Sequence, residues 1–332
     1  MNTMKRLVKT GPRTTTLVDE PIPELRNEHD VLVRVEYCGV CMSEHFDWET
    51  DTVAAGRRFG HEPVGKIIAM GSAVEGFAIG DLVTGGDDAA GSAEYAIMND
   101  KSIIKIPEGM EPTSAIIEPL FCIMSAVSKL RSLMPGERVA VVGCGYMACG
   151  AIGLLAAKGY DVVAVDIRRE CLENAKLYGA KEVYTPDELP ENYLSDTNPR
   201  VNGFPVVMEW GETAESLDLA LHMTRMCGQL AIGAYHTGGK RLVDVQRLNL
   251  YALDCLSTHP RELDINIKAM HMAMKMLDEK SWNYHSVVTK VYPATKFDLA
   301  QAELTVKYGK WLKAVIDWRD VNADFEPYII GE

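Results

Sequence analysis

Val139-Ala-Val-Val-Gly143-Cys-Gly145-Tyr-Met-Ala148 opens a stretch that continues without a charge to Lys158 and closes on Val162-Val-Ala-Val165-Asp166. An apolar run of strand length meets a glycine pair, and roughly three turns of helix lead to a second apolar run ending in a carboxylate about 20 residues on, the spacing of a dinucleotide-binding βαβ unit. Gly143 permits the tight turn out of the strand. Gly145 lets the backbone approach a pyrophosphate seated on the helix N-terminus, where unpaired N–H groups and the helix dipole favour an anion. Ala148 stands at the third glycine position and still allows close helix–strand packing. Asp166 would accept hydrogen bonds from the adenosine ribose hydroxyls, and a 2′-phosphate would set anion against anion there. The expected cofactor is therefore NAD, although Arg168 and Arg169 lie just beyond and temper the preference.

Downstream the same alternation continues. A helix is expected over 169–178, a strand at 206–208, a helix over 215–226, and strands at 229–233 and 253–257; together they describe a doubly wound parallel sheet. Residues 186–205 are polar and proline-flanked and read as a surface connection. The methionine-rich run 265–277 reads as a helix packed in a core. Upstream, to about residue 106, short apolar runs separated by glycine, proline and acidic turns describe a β-rich domain, with strands around Val31, Val33 and Val35 and at 64–69, 82–84 and 93–98. Thr113 is a candidate cap for a helix reaching toward Leu130. Strand-like runs return at 287–291 and 311–316.

Composition narrows the function classes. A chain of 332 residues suggests two domains, and 47% hydrophobic with 24% charged residues is ordinary for a soluble globular protein. A formal net charge of −13 argues against a nucleic-acid backbone or an anionic membrane as partner. The uncharged segment 140–157 approaches the length of a membrane span, but its four glycines mark it as strand, turn and buried helix. The N-terminus has no signal-peptide core, so a cytoplasmic protein is expected. The eight cysteines are scattered, with one close pair, Cys38 and Cys41. In a reducing compartment they read as free thiols or metal ligands, and Cys122, Cys144, Cys149, Cys171, Cys227 and Cys255 read as small core residues.

Upstream of the nucleotide unit stand Cys38-Gly-Val-Cys41-Met-Ser43-Glu44-His45, Gly60-His61-Glu62 and Glu118-Pro119-Leu120. Thiolate, imidazole and carboxylate are zinc's preferred ligand types, and a catalytic zinc takes three protein ligands and keeps an open position. These ordered motifs, with Gly71, Gly80-Asp81 and the nucleotide unit, make the chain resemble the zinc-containing medium-chain dehydrogenase/reductase family, in its sorbitol/polyol-dehydrogenase-like branch. The resemblance spans nearly the whole chain. It implies a GroES-like, β-rich catalytic domain over 1–120 and 266–332, a Rossmann domain over 121–265, and an active site in the cleft between them.

The resemblance also implies one catalytic zinc per chain, held by Cys41, His61 and a carboxylate, with Glu62 and Glu118 both candidates. Ser43 matches the family's proton-accepting hydroxyl. Glu44 stands where the family has Asp and would orient His61, its extra methylene being a departure. Five residues after Cys41 the family's relay histidine is replaced by Phe46, so His45, Asp47 or water would carry the proton out. The four-cysteine structural-zinc lobe is absent, with 84–91 in its place. A redox role for the Cys38/Cys41 pair finds no thioredoxin-like context. Glu209, His236, His259 and Arg261 follow strands expected to end near the cofactor, with structural roles as the simpler reading. The implied activity is hydride transfer between a secondary alcohol of a polyol, sugar or sugar derivative and NAD, in a homodimer or homotetramer. A threonine-type amino-alcohol dehydrogenase and a non-catalytic nucleotide-binding scaffold are the alternatives.

Overall fold

Short apolar runs broken by glycine and proline fold as a mostly antiparallel sheet in one unit, and strand–helix alternation folds as a parallel sheet in the other. The structure, a computed structural model, describes residues 3–86, 91–284, 287, 289–306 and 311–330. The first unit comprises Met1–Pro119, Ala273–Asp278 and His285–Glu332; the second comprises Leu120–Met272 and Glu279–Tyr284. The chain thus leaves the nucleotide unit at Met272, not at 265, and Glu279–Tyr284 goes back to it.

In the first unit the hairpin β1 (Thr3–Gly11) and β2 (Thr14–Pro21) precedes β3 (Asp30–Val40), followed by the short helix α1 (His45–Glu49) and the strands β4 (Pro63–Met70), β5 (Leu82–Gly85), β6 (Tyr95–Asn99) and β7 (Ile103–Lys105). The second unit takes over within α2 (Ile117–Ser128) and runs through β8 (Arg138–Val142), α3 (Tyr146–Ala157), β9 (Asp161–Val165), α4 (Arg169–Leu177), β10 (Glu182–Tyr184), β11 (Phe204–Glu209), α5 (Ala214–Met223), β12 (Thr224–Ile232), α6 (Val245–Leu250) and β13 (Asp254–Ser257). After α7 (Leu263–Asp278), strand β14 (Thr289–Pro293), helix α8 (Phe297–Val306) and strands β15 (Lys313–Asp317) and β16 (Tyr328–Ile329) complete the first unit.

Strand β3 organises the first unit because three partners share its length. It pairs with β4 from Val31 to Cys38, with β6 from Asp30 to Arg34 and with β15 from Tyr37 to Val40, in the sheet order β16-β14-β15-β3-β4-β5-β7. The register sets Ala314 opposite Val40 and Pro63 opposite Cys38. The residues just past these pairs, Cys41, Glu62 and Lys313, therefore converge at one end of β3. Behind them lies a core that includes Cys38, Trp48, Phe59, Tyr292, Phe297, Trp311 and Trp318.

The second unit is a six-stranded, all-parallel sheet in the order β10-β9-β8-β11-β12-β13, the 3-2-1-4-5-6 order of a dinucleotide fold. Helix α3 is buried from Ala148 through Leu155. One flank meets the sheet, and Trp282 and Tyr284 close on Gly150 and Gly153, where added Cβ atoms would lie 2.6 Å from Ile123 and 3.1 Å from Trp282. Burial on every side is why this helix shows no polar stripe.

Several expectations shift. Thr113 caps nothing: it sits in a single 3₁₀ turn, Pro112–Ser114, whose capping side chain is Glu111, and α2 begins at Ile117. Cys227 and Cys255 are exposed, not core. Cys255 lies on the sheet's edge strand and Cys227 occupies a positive-φ position before the buried part of β12. Helices α6 and α8 were not anticipated, and α5 stops at Met223 because β12 starts at Thr224. Residues 87–90, within the segment that replaces the structural-zinc lobe, lie outside the described residues. Among the described residues no helix is long and apolar enough to cross a membrane.

Candidate metal centre and nucleotide site

Cys41 meets the adjacent pair His61 and Glu62 in the first unit. One ligand atom each from Cys41, His61 and Glu62 lie within 4.8 Å of one another. Cys41 follows the end of β3 and Glu62 immediately precedes β4, so the antiparallel pairing of the two strands brings them together. The backbone tightens the arrangement: Gly39 N–H donates to Glu62 O at 3.0 Å. A Cβ on Gly39 would fall 1.7 Å from Glu62 Oε2, so glycine is required there for the carboxylate to pass. Gly60, at φ +92°, makes the turn that presents His61, and its own Cβ would collide with Ser92 N at 2.3 Å.

Glu44 supports the imidazole from behind. It is buried, its Oε1 accepts from Gly60 N–H at 2.9 Å and lies 3.2 Å from His61 Nδ1. The longer side chain reaches both partners, so the extra methylene is accommodated. Burial alone would lower the His61 pKa, but Cys41 and Glu44 prevail and raise it well above the ordinary imidazole value. Ser43 Oγ donates to Cys41 Sγ at 3.3 Å.

The donor set suits a divalent cation of the zinc type: one thiolate, one imidazole with a carboxylate on its far nitrogen, and one carboxylate. Glu62 is fully buried, and its Oε1 has no hydrogen-bond partner among the described residues. A buried, unpartnered carboxylate oxygen is costly unless a cation takes it. Glu118, in the first turn of α2, falls outside the trio, although Ile117 N–H donates to Thr84 Oγ1 at 3.1 Å and anchors that turn to β5.

Two residues near the trio face away from it. His45 is buried with Nδ1 3.4 Å from Gln301 Oε1 and Nε2 3.7 Å from Glu49, its ring packed on Trp48; neither nitrogen hydrogen-bonds Ser43 or the ligand trio. Cys38 points into the core, where burial, with Glu44 and Glu62 nearby, pushes its thiol up to about 12; it is no redox partner for Cys41. Lys313 went unnoticed in the sequence. It interrupts the apolar run Trp311-Leu312-Lys313-Ala314-Val315-Ile316, and a lone lysine in such a run is the signal that marks it.

In the second unit Gly143, at φ +85°, ends β8 with Gly211 N only 2.5 Å from where a Cβ would stand. Gly145 caps α3, and no atom lies within 4 Å of its would-be Cβ, which leaves the helix N-terminus open to an approaching anion. Asp166, at the end of β9, accepts from Cys144 N–H at 2.7 Å and from Arg168 N–H at 2.9 Å, with Arg168 Nε at 3.4 Å. Ala148 is fully buried in α3. At the ends of β11 and β12, buried Glu209 accepts from Gly211 N–H, Glu212 N–H and Ser216 Oγ, and its other oxygen lies 2.9 Å from His236 Nε2. Glu209 and His236 thus clasp two strand-end loops. His259 packs edge-on against Tyr235.

Residues 27–108 match the alcohol dehydrogenase GroES-like domain, and residues 138–192 match an NAD-binding domain described for 3-hydroxyacyl-CoA dehydrogenase. Over nearly its whole length the chain is similar to sorbitol dehydrogenase and D-xylulose reductase sequences. Relatives of this chain include the sorbitol dehydrogenase of Halalkalibacterium halodurans, 27% identical over 94% of this chain and 99% of the relative. D-xylulose reductase A of Aspergillus oryzae is 26% identical over 95% and 96% of the two chains. In fold, L-idonate 5-dehydrogenase from Escherichia coli superposes with a TM-score of 0.82 over 95% of this chain and 98% of that chain, at 18% identity.

Proposed function

We propose that this chain is a zinc- and NAD-dependent dehydrogenase that moves a hydride between a secondary alcohol of a polyol, sugar or sugar derivative and NAD. The observation that carries the reading is the Cys41, His61 and Glu62 trio, with Glu44 on the back of His61, in a chain whose second unit has the dinucleotide strand order. Relatives named for sorbitol and xylulose chemistry support the substrate class.

Cys41, His61 and Glu62 would hold the zinc, and Glu118 would stay outside the direct ligands. When bound, zinc supplies Lewis acidity that favours ionisation of the substrate hydroxyl, and NAD accepts the hydride. Ser43 takes the hydroxyl proton. Glu44 fixes the ring orientation of His61 and makes it a better donor to a cation. The N–H groups at Gly145 and the first turn of α3 hold the pyrophosphate, and Asp166 receives the adenosine ribose. Arg168, held against Asp166, borders the same place. Proton exit runs from Ser43 through solvent, since His45 is engaged with Gln301 and Glu49. A reducing, cytoplasmic setting suits the eight free cysteines.

The test pairs metal analysis with turnover on one preparation. Purified protein should carry about one zinc per chain, and Cys41→Ala should lose both metal and activity. NADH formation is then followed over a panel of polyols, sugars and L-threonine. Turnover with polyols supports the reading, turnover confined to L-threonine moves the substrate class, and metal-loaded protein that oxidises no alcohol overturns it.

A further inference from the structure

Lys313 is a cation buried in a site built for a cation. Its side chain is 6% exposed and its ammonium pairs with Oε2 of the fully buried Glu62. Nζ also donates to Val40 O at 3.2 Å. The position follows from strand register: Ala314 lies opposite Val40, so the preceding residue of β15 stands beside Cys41. Glu62 consequently lies between two cationic demands, the ammonium and the place where Cys41 and His61 converge. Cys41 and Glu118 also lie close enough to act on Lys313.

Like charges at this range repel strongly in a buried setting, and one carboxylate shared by two cations serves each less well. Neutralising Glu62 when no ion is bound is the compensating gain, because a buried carboxylate without a counter-charge is destabilising. We propose that Lys313 is a positioning residue, an internal counter-ion that holds Glu62 in the metal-free protein and weakens its grip on the bound metal. The lysine thereby lowers metal affinity and leaves Glu62 the exchangeable ligand of the three. This inference rests on the reading of Cys41, His61 and Glu62 as a metal centre.

The prediction runs against the usual effect of damaging a metal site: removing Lys313 tightens the metal. Zinc-loaded full-length wild type, Lys313→Met, Lys313→Gln and Lys313→Arg are mixed with excess chromogenic chelator and zinc release is timed. Thermal unfolding is measured with and without added zinc. The two neutral variants should release zinc at least about tenfold more slowly than wild type. Zinc should also raise their melting temperature more than it raises that of the wild type, whereas Lys313→Arg stays close to wild type. Neutral variants that fold only when zinc is supplied support the counter-ion role. Adding Glu62→Gln to Lys313→Met should erase the slowing, because the lysine acts through that carboxylate. Neutral variants that release zinc as fast as wild type or faster, or that fail to fold even with zinc, overturn the proposal. Wild type that takes up no zinc overturns the metal-centre reading itself, a different failure.

Discussion

Gly39 is one of two glycines at the candidate metal centre. Its Cβ would sit 1.7 Å from Glu62 Oε2, so Gly39→Ala must push the carboxylate out of the trio. The variant should lose zinc and about 1–3 kcal/mol of stability, read by metal analysis and denaturant titration. Gly11→Ala, with nothing within 4 Å, is the control expected to change neither. Glu44 acts one step further out. Glu44→Gln weakens the charge-assisted contact to His61 and should reduce zinc affinity by about ten- to a hundredfold, measured by competition with a chelator. Unchanged affinity would remove Glu44 from the site's supporting groups. At the nucleotide end, Asp166→Ser should weaken NAD by about ten- to a hundredfold and raise the NADP-to-NAD ratio, because Arg168 is then released from its carboxylate partner. Equilibrium titration of both cofactors reads the two effects together, and an unaltered NAD affinity would take Asp166 out of the ribose site.

At the scale of elements, α3 is held from outside its own sheet. Trp282 Nε1–H donates to Gly150 O at 3.0 Å, and Tyr284 OH donates to Tyr146 O in the first turn of the helix. The two rings stack on each other, and Tyr178 meets Tyr284 edge-on. The segment Glu279–Tyr284 therefore fixes the helix whose N-terminus is the proposed pyrophosphate position. Tyr284→Phe should cost about 1 kcal/mol, the worth of one hydrogen bond. Trp282→Ala should cost about 3–5 kcal/mol through the cavity it leaves. Urea unfolding distinguishes the two, and equal small losses would mean that the segment merely lies on the surface of α3.

Across the whole molecule, charge sets the response to acid. Burial alone would raise the pKa of Asp196, Glu182 and Glu303, but their partners lower it: His222 and Arg247 for Asp196, Tyr193, Tyr184 and Arg138 for Glu182, Lys290 and Tyr292 for Glu303. A folded pKa below the unfolded one means that the unfolded chain binds more protons, so stability rises with pH through this range and is lost as pH falls through the folded values. The melting temperature should therefore hold above about pH 5 and decline toward pH 3. Asp196→Asn should make the decline shallower, and an unaltered slope would place the acid sensitivity elsewhere. Assembly is the second question at this scale. Strand β13 ends the parallel sheet with Asp254, Cys255 and Ser257 exposed, and an open edge of this kind is a template for pairing with a second chain. Sedimentation should give a dimer or a tetramer, and Cys255→Lys should shift it toward smaller species.

The sequence by itself determined the nucleotide unit, because its information is local: strand, glycine turn, helix and carboxylate lie within one stretch of chain, each restricted by backbone geometry or periodicity. It also marked Cys41, His61 and Glu62 through residue type and order. Only the tertiary structure decided which carboxylate joins them, because the pairing of β3 with β4 places Glu62 in the trio and leaves Glu118 outside it. The exposure of Cys255, invisible in an apolar run, follows from the strand's place at the sheet edge. The placement of His45 beside Gln301 and Glu49 likewise comes from the fold, since these partners are distant or unremarkable in sequence. Lys313 and Gly39 became meaningful only through register, since a lysine far along the chain and a glycine two residues before a cysteine acquire their roles when β15 and β4 are laid against the two sides of β3.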